Sequence, residues 1–282
     1  MTKTPDRSAR LRQFFARQVA GRGRATDPRI VEAFAGVPRE AFAGPGPWSV
    51  NVPGTGYVET PDDDIAYLYQ DTLVAIDAAR GINIGEPSLH ARCLDALALR
   101  AGETVLHIGA GVGYYSAILA WLVGPGGRVH AFEIEPDLAA RAARNLKALA
   151  QVTVEGRSGL AEDLPKADAI YVNAGLPWPP SPWLDALRPG GRLIFPLQPS
   201  GSFGCMLRIE RPMAGTTWPA TIVTPVSFIG CQGGEDGEAD RRLRRALDGG
   251  GWEAVRSLRR NSSPDATAWL AGEGWWLSTA PA

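Results

Sequence analysis

The sequence predicts an α/β protein with a Rossmann-like, doubly wound sheet, and three observations carry that expectation. An apolar run with strand character, Val105-Leu106-His107-Ile108, ends in glycines at alternate positions, Gly109, Gly111 and Gly113. A helical apolar pattern follows, Ser116-Ala117-Ile118-Leu119-Ala120-Trp121-Leu122. A second apolar run, Arg128 to Phe132, then ends in Glu133, twenty positions after Gly113. Strand, glycine turn and helix form the ligand-cradling corner of such a sheet. Glycine turns tightly and lets a ligand lie against bare backbone. The helix N-terminus adds free N–H groups and a partial positive charge.

Composition bounds the rest. A chain of 282 residues can bury a substantial core. With 29 basic and 30 acidic residues, net charge −1, it offers no general affinity for nucleic acid or anionic membrane. Cys93, Cys205 and Cys231 form no disulfide framework and no CxxC pair, and read as reduced thiols of a cytoplasmic protein. The three histidines are scattered as well, so no metal site is expected. No apolar run approaches a membrane span. The Arg-rich N-terminus lacks the apolar core of a secretory signal and reads as a solvated helix face rather than a transit peptide.

In chain order, residues 8 to 20 pattern as an amphipathic helix with Leu11, Phe14, Phe15 and Val19 on one side, broken by Gly21-Arg22-Gly23. Asp27-Pro28 starts a second helix, striped by Ile30, Val31 and Phe34 and ending near Gly36. Residues 44–61 are Gly/Pro-rich without periodicity and predict a long loop. Its Trp48 and Tyr57 either shield a pocket or pack back on the body. Glu86-Pro87-Ser88 opens a helix whose buried side is Leu89, Cys93, Leu94 and Leu97. His90, in its first turn, reads as a surface or cap residue. Asp137 to Leu149 is helical, Val152 to Glu155 a strand, and Ala167 to Gly175 a strand with its C-terminal tip. Asn173 sits at that tip, where ligands of such sheets gather. Trp183 to Leu187 predicts a short helix stopped by Pro189-Gly190-Gly191, followed by a strand over Arg192 to Leu197. Residues 204–211 and 221–229 alternate like antiparallel closing strands. Gly233 to Asp240 reads as a linker, Arg241 to Leu247 as a helix, Trp252 to Leu258 is ambiguous, and two short strands flank Gly272-Glu273-Gly274.

The dinucleotide fingerprint wants a small residue three positions after its second glycine. Tyr114 stands there, so NAD or FAD fits poorly. Glu133 at the second strand tip can accept both hydroxyls of a ribose. Spacing, the GxGxG form and the following Ile134-Glu135-Pro136 together resemble the S-adenosylmethionine methyltransferases.

A narrower resemblance covers roughly residues 15 to 235. It rests on RQVAGRGRATDPRIVEAFAGVPREAFAG (Arg17 to Gly44), YLYQDTLVAIDAARGINIGEPSLHARCLDAL (Tyr67 to Leu97), the glycine corner, ADAIYVNAG, LRPGGRLIFPL and VSFIGCQGG. These are similar, in order and spacing, to the protein-L-isoaspartate O-methyltransferase family. The resemblance implies a mostly parallel seven-stranded sheet with an antiparallel closing hairpin. It implies N-terminal helices ahead of a cofactor domain (81–235); the Gly/Pro-rich stretch adds a lid-like loop to the N-terminal part (1–80) where the family has a shorter connection, and residues 236–282, beyond the resemblance, read as a small C-terminal extension. It also implies S-adenosylmethionine as cofactor and a methyl group passed to a carboxylate of a protein, peptide or small molecule. The residues expected at the cofactor are Ile84, Gly85, His107, Gly109, Ala110, Gly111, Gly113, Tyr115, Glu133, Ile134, Ser158, Gly159 and Asn173, and those expected in catalysis are Asn83, Glu86 and Asn173.

The chain departs from the family at several of these points. On the signature Gly-Gln-Thr-Ile-Ser-Gln-Pro it reads Gly81-Ile82-Asn83-Ile84-Gly85-Glu86-Pro87, so the active-site serine falls on Gly85. Glu86 would repel a carboxylate acceptor. It reads either as a base or orienting group for another acceptor, or as a helix N-terminal carboxylate. His107 replaces the acidic residue that meets the cofactor ammonium and could meet it more weakly, with pH dependence. Arg157 replaces the acid of a Gly-Asp-Gly turn near the adenine. Two alternatives stay open: a methyltransferase-like binding protein without catalysis, and a methyltransferase for a non-carboxylate small molecule. The sequence carries no signal of oligomeric state.

Overall fold

A computed structural model describes residues 6–282. In chain order the first half holds α1 (Arg7–Gly23), α2 (Pro28–Gly36), α3 (Glu40–Ala43), β1 (Ser49–Val52), β2 (Gly56–Glu59), β3 (Val74–Asp77), β4 (Ile82–Ile84), α4 (Pro87–Leu97), β5 (Thr104–Ile108), α5 (Tyr114–Val123), β6 (Arg128–Phe132) and α6 (Pro136–Leu146). There follow β7 (Val152–Glu155), β8 (Ala167–Val172), α7 (Ser181–Ala186), β9 (Leu187–Leu197), β10 (Gly204–Glu210), β11 (Thr217–Val226), α8 (Gly237–Asp248), β12 (Ser257–Arg260), β13 (Ala268–Gly272) and β14 (Trp275–Ser278). The chain divides into two units. One comprises the residues up to Gly102, Ala110–Ala131 and Glu135–Gly156; the other comprises Glu103–Gly109, Phe132–Ile134 and Arg157–Ala282.

In the first unit, α1 starts at Asp6, whose carboxylate accepts from Ala9 N at 2.7 Å. The expected break at Gly21-Arg22-Gly23 does not occur: the helix runs through both glycines and ends at Arg24, in the left-handed region. Gly23 serves contact instead. A Cβ there would lie 2.5 Å from the Ser88 carbonyl of α4, so only glycine lets the two helices meet. Phe14 is also corrected. Helical phase buries Phe15, Ala16, Val19 and Ala20, while Phe14 is 68% exposed. The Asp27-Pro28 start of α2 is as expected, with Asp27 accepting from Arg29 N.

The long loop expected over 44–61 is instead largely a hairpin. β1 and β2 pair antiparallel around Gly54 and Gly56, at φ 79° and 90°. With β3 and β4 they form a four-stranded sheet in the order β2-β1-β3-β4. Trp48 packs back on the body, 6% exposed, its Nε1 donating to the Gly44 carbonyl at 2.9 Å. It lines an open cavity of about 410 Å³ with Pro45, Pro47, Ile76 and Arg141.

In the second unit β5, β8 and β9 run parallel, and β9, β10 and β11 antiparallel. Their apolar runs pack into one core through Leu106, Ile170, Val172, Trp183, Leu193 and Phe195. Such continuous runs suit strands covered on both faces. The C-terminal segment extends this sheet as β11-β12-β14-β13 and brings Leu258, Leu270 and Leu277 to the same core. The extension therefore adds three strands, β12, β13 and β14, to the sheet of this unit beyond the closing hairpin that was expected. The linker expected over 233–240 is corrected in its second half. Asp236 caps α8 by accepting from Glu238 N and Ala239 N, so the helix starts at Gly237. Likewise α7 ends at Ala186, and β9 already begins at Leu187 rather than after the glycines. Among the described residues no helix is long and apolar enough to cross a membrane. Among the described residues no His/Cys/Asp/Glu group could hold a metal ion.

Candidate cofactor and acceptor residues

The second unit brings together the ends of several strands. Gly109, at φ 75°, follows β5 and donates to the Phe132 carbonyl at 3.0 Å, while Asn173 N donates to the Ile108 carbonyl at 2.8 Å. A Cβ on Gly109 would touch the Asn173 backbone at 3.4 Å. Glu133 leaves the tip of β6 and is 6% exposed, and Ile134 beside it is 39% exposed. Ser158 Oγ accepts from Leu160 N at 3.1 Å. The Gly159 carbonyl accepts from Trp183 Nε1 at 2.7 Å, and its bare Cα packs on Ile108, where a Cβ would come within 2.7 Å. The Arg157 guanidinium lies 5.0 Å over the Phe132 ring and pairs with Asp163.

His107 is fully buried and stacks on Tyr171, with ring centroids 5.7 Å apart. Burial pushes its imidazole down to about 3, so the ring is neutral across the physiological range. Its Nε2 lies 2.8 Å from Asn173 Nδ2, and a neutral ring accepts that amide hydrogen. Asn173 Oδ1 is thereby turned away from the ring. It is buried and has no hydrogen-bond partner among the described residues. A buried carbonyl oxygen left without a donor costs about 1–3 kcal/mol. The cost is removed if a ligand donor arrives.

In the first unit the corner continues through Ala110 and Val112, 6% and 4% exposed, to Gly111 and Gly113 at φ 56° and 92°. A Cβ at Gly111 would meet nothing within 4 Å, whereas one at Gly113 would press on Leu146 Cδ1 at 2.7 Å. Tyr114 turns into the body against Phe42, centroids 5.5 Å apart. Tyr115 donates from its hydroxyl to the Gly85 carbonyl at 2.9 Å, and burial holds that hydroxyl well above the ordinary tyrosine range. Ile84 ends β4 and is 4% exposed. Asn83 is half-buried, its Nδ2 donating to the Gly81 carbonyl at 3.1 Å. Glu86 is exposed at the start of α4, where its Oε1 accepts from Ser88 Oγ at 3.1 Å.

Sequence reasoning missed two residues here. His90 is no surface residue: it is 2% exposed, and its ring stacks on Tyr115 with centroids 3.5 Å apart. Arg39, read only as part of a phrase, is fully buried. Its guanidinium donates to the carbonyls of Leu68, Gln70 and Thr72 at 2.8–3.0 Å and to that of Ile84 at 3.4 Å. A buried arginine with this many carbonyl acceptors fixes the backbone leading to Gly85. Only the Val37-Pro38-Arg39 wording hinted at it.

The residues present fit S-adenosylmethionine on three counts. Within the first unit, Gly111 leaves open space beside bare backbone; within the second, Glu133 supplies an acidic acceptor at a strand tip, and Asn173 Oδ1 is a buried acceptor with no donor among the described residues.

Comparison with known proteins agrees. The family model for protein-L-isoaspartate(D-aspartate) O-methyltransferase (PCMT) matches residues 12–236. A protein-L-isoaspartate O-methyltransferase of Aeropyrum pernix is 37% identical over 199 residues, 68% of each chain. One of a Roseiflexus species is 31% identical over 224 residues, 78% of this chain and 91% of the relative. Two solved structures share the fold. A protein-L-isoaspartate O-methyltransferase gives TM-score 0.64 at 23% identity, covering 84% of this chain and 69% of the other. A putative one from Plasmodium falciparum, in complex with S-adenosyl-L-homocysteine, gives 0.62 at 20% identity, covering 78% and 98%. The chain therefore belongs to the protein-L-isoaspartate O-methyltransferase family and is an S-adenosylmethionine-dependent methyltransferase of that type.

Proposed function

We propose that this enzyme methylates a carboxylate on a protein or peptide acceptor of the isoaspartyl kind. The observation that carries the reading is the extent of the family match, which runs through the rewritten segment 83–87 as well as the glycine corner. Bound S-adenosylmethionine supplies a methyl group already activated on a sulfonium, and the protein's task is to hold donor and acceptor aligned. A carboxylate is ionised at neutral pH and needs no base to attack.

The roles then follow from the side chains. Glu133 accepts from the ribose hydroxyls, and Ile134 flanks the adenine. Backbone at Gly109–Gly113 lies against the nucleoside, with Ala110 and Tyr115 closing the turn. Asn173 Oδ1 accepts from the cofactor ammonium, and His107 holds the carboxamide the right way round. Ser158 and Gly159 border the adenine, and Ile84 and Gly85 the methionine end. Asn83 faces the acceptor, while Glu86, which would repel a carboxylate, is held by Ser88 Oγ at the start of α4. In this reading 1–80 caps the cofactor domain 81–235, and 236–282 lengthens its sheet. A cytoplasmic location is proposed on the three free cysteines.

One observation favours a second reading. Glu86 is an exposed carboxylate in the acceptor segment, which suits a hydroxyl or amine acceptor needing a base. Mass spectrometry of an isoaspartyl peptide incubated with enzyme and S-adenosylmethionine separates the two. A methyl ester, absent from the aspartyl control peptide, is expected. No ester from a chain that binds the cofactor in calorimetry overturns the carboxylate reading.

A further inference from the structure

Gly85 and His90 are two halves of one arrangement. A Cβ at Gly85 would lie 2.1 Å from His90 Nε2 and 2.9 Å from its Cδ2, so the imidazole already fills the space of a side chain at 85. The ring is not free to swing aside. It is 2% exposed and lies face to face on Tyr115, with planes 10° apart. The Tyr115 hydroxyl in turn donates to the Gly85 carbonyl, so the three residues brace one another. Gly85 is not in the left-handed region, so the backbone does not demand glycine there. The imidazole does. An aliphatic chain would fill the same volume without burying a polar heterocycle. What the ring adds is a nitrogen at this point of the chain.

We propose that His90 is the acceptor-binding residue of this enzyme, its Nε2 taking the place of a polar side chain at position 85 and donating to the acceptor carboxylate. The proposal rests on the reading of residues 83–87 as the acceptor segment. An imidazole N–H to a carboxylate oxygen is a charge-assisted bond, and it delivers that bond from α4 while the backbone at 85 stays bare.

The test uses the full chain and an isoaspartyl peptide, with calorimetric titration of S-adenosylmethionine and the thermal midpoint measured on every variant. His90→Ala is expected to keep the cofactor Kd within about threefold while kcat/KM for the peptide falls roughly tenfold or more, chiefly through KM. His90→Gln, which keeps an N–H donor, recovers part of that loss. Gly85→Ser alone collides with the ring and lowers both Tm and activity. Gly85→Ser with His90→Ala gives the serine the vacated space and recovers both in part. Unchanged peptide kinetics in His90→Ala, or a Gly85→Ser chain as stable and active as the parent, overturns the proposal. Should His90→Ala fail to fold, His90→Gln and the double variant decide by the same split. If the parent chain binds cofactor yet esterifies no isoaspartyl peptide, the acceptor reading falls and takes this proposal with it. An active enzyme indifferent to His90 sinks this proposal alone.

Discussion

The glycine corner at 109–113 and the acceptor segment at 83–90 both turn on glycine, for opposite reasons. At the corner, Gly109, Gly111 and Gly113 sit at φ 75°, 56° and 92°, where a side chain is strained whatever space surrounds it. At Gly85 the backbone is ordinary, and glycine is required because His90 occupies the neighbouring volume. One stretch keeps glycine for conformation and the other for room. A conformational glycine is tied to its own strand and helix, so its reason is local. A glycine kept for room is tied to a partner side chain, so its reason shows only once the chain is folded.

The largest break in this comparison comes from Gly113→Val. The left-handed backbone costs about 1–2 kcal/mol, and crowding against Leu146 adds about 1–3 kcal/mol. Denaturant unfolding should show the sum; a change under about 1 kcal/mol would mean the corner tolerates side chains as an ordinary turn does.

Glu133→Ala tests the corner as a binding device rather than a turn. Loss of charged hydrogen bonds to the ribose should weaken S-adenosylmethionine by roughly 10- to 100-fold in calorimetry. Equal affinity in a folded variant would remove Glu133 from the site.

The smallest effect is in pH. His107 titrates near 3 when folded against 6.5 ordinarily, so below pH 6.5 the unfolded chain binds the extra proton and stability falls with acidification. Between pH 6.5 and 5 the loss is roughly 2 kcal/mol, at about 1.4 kcal/mol per unit, and it is absent above pH 6.5. His107→Gln should flatten that slope in unfolding measurements at pH 7 and 5. The same shift contradicts the pH dependence expected of a His107–ammonium contact, because the ring stays neutral wherever the enzyme would be assayed.

Much of this was legible in the chain itself. The corner, the Glu133 spacing, the Asp27-Pro28 and Glu86-Pro87 helix starts and the strands flanking Gly272–Gly274 are local patterns, readable from neighbours within a turn or a pleat. The hairpin at 49–59 was not legible, because its strands are four residues each and none of their side chains is buried, so Ser49-Val50-Asn51-Val52 alternates over too short a run to stand out among the glycines and prolines. Gly21 and Gly23 looked like a helix break because glycine is a poor helix former, yet the close approach of α4 outweighs that cost. Phe14 was grouped with Phe15 on the apolar side, yet one helical position apart only Phe15 is buried.

Sequence alone determined the α/β class, the cofactor corner and the family, since each depends on residue type at fixed separations along one strand, turn or helix. Tertiary structure decided what fills Gly85, how Asn173 is oriented and why Arg39 is buried. Those outcomes depend on which side chains packing brings together: His90 from the turn of a helix, His107 from an adjacent strand, and four carbonyls from residues 29 to 45 positions away. No spacing rule encodes such meetings. Excluded volume and the need to satisfy buried polar groups select them once the chain has folded.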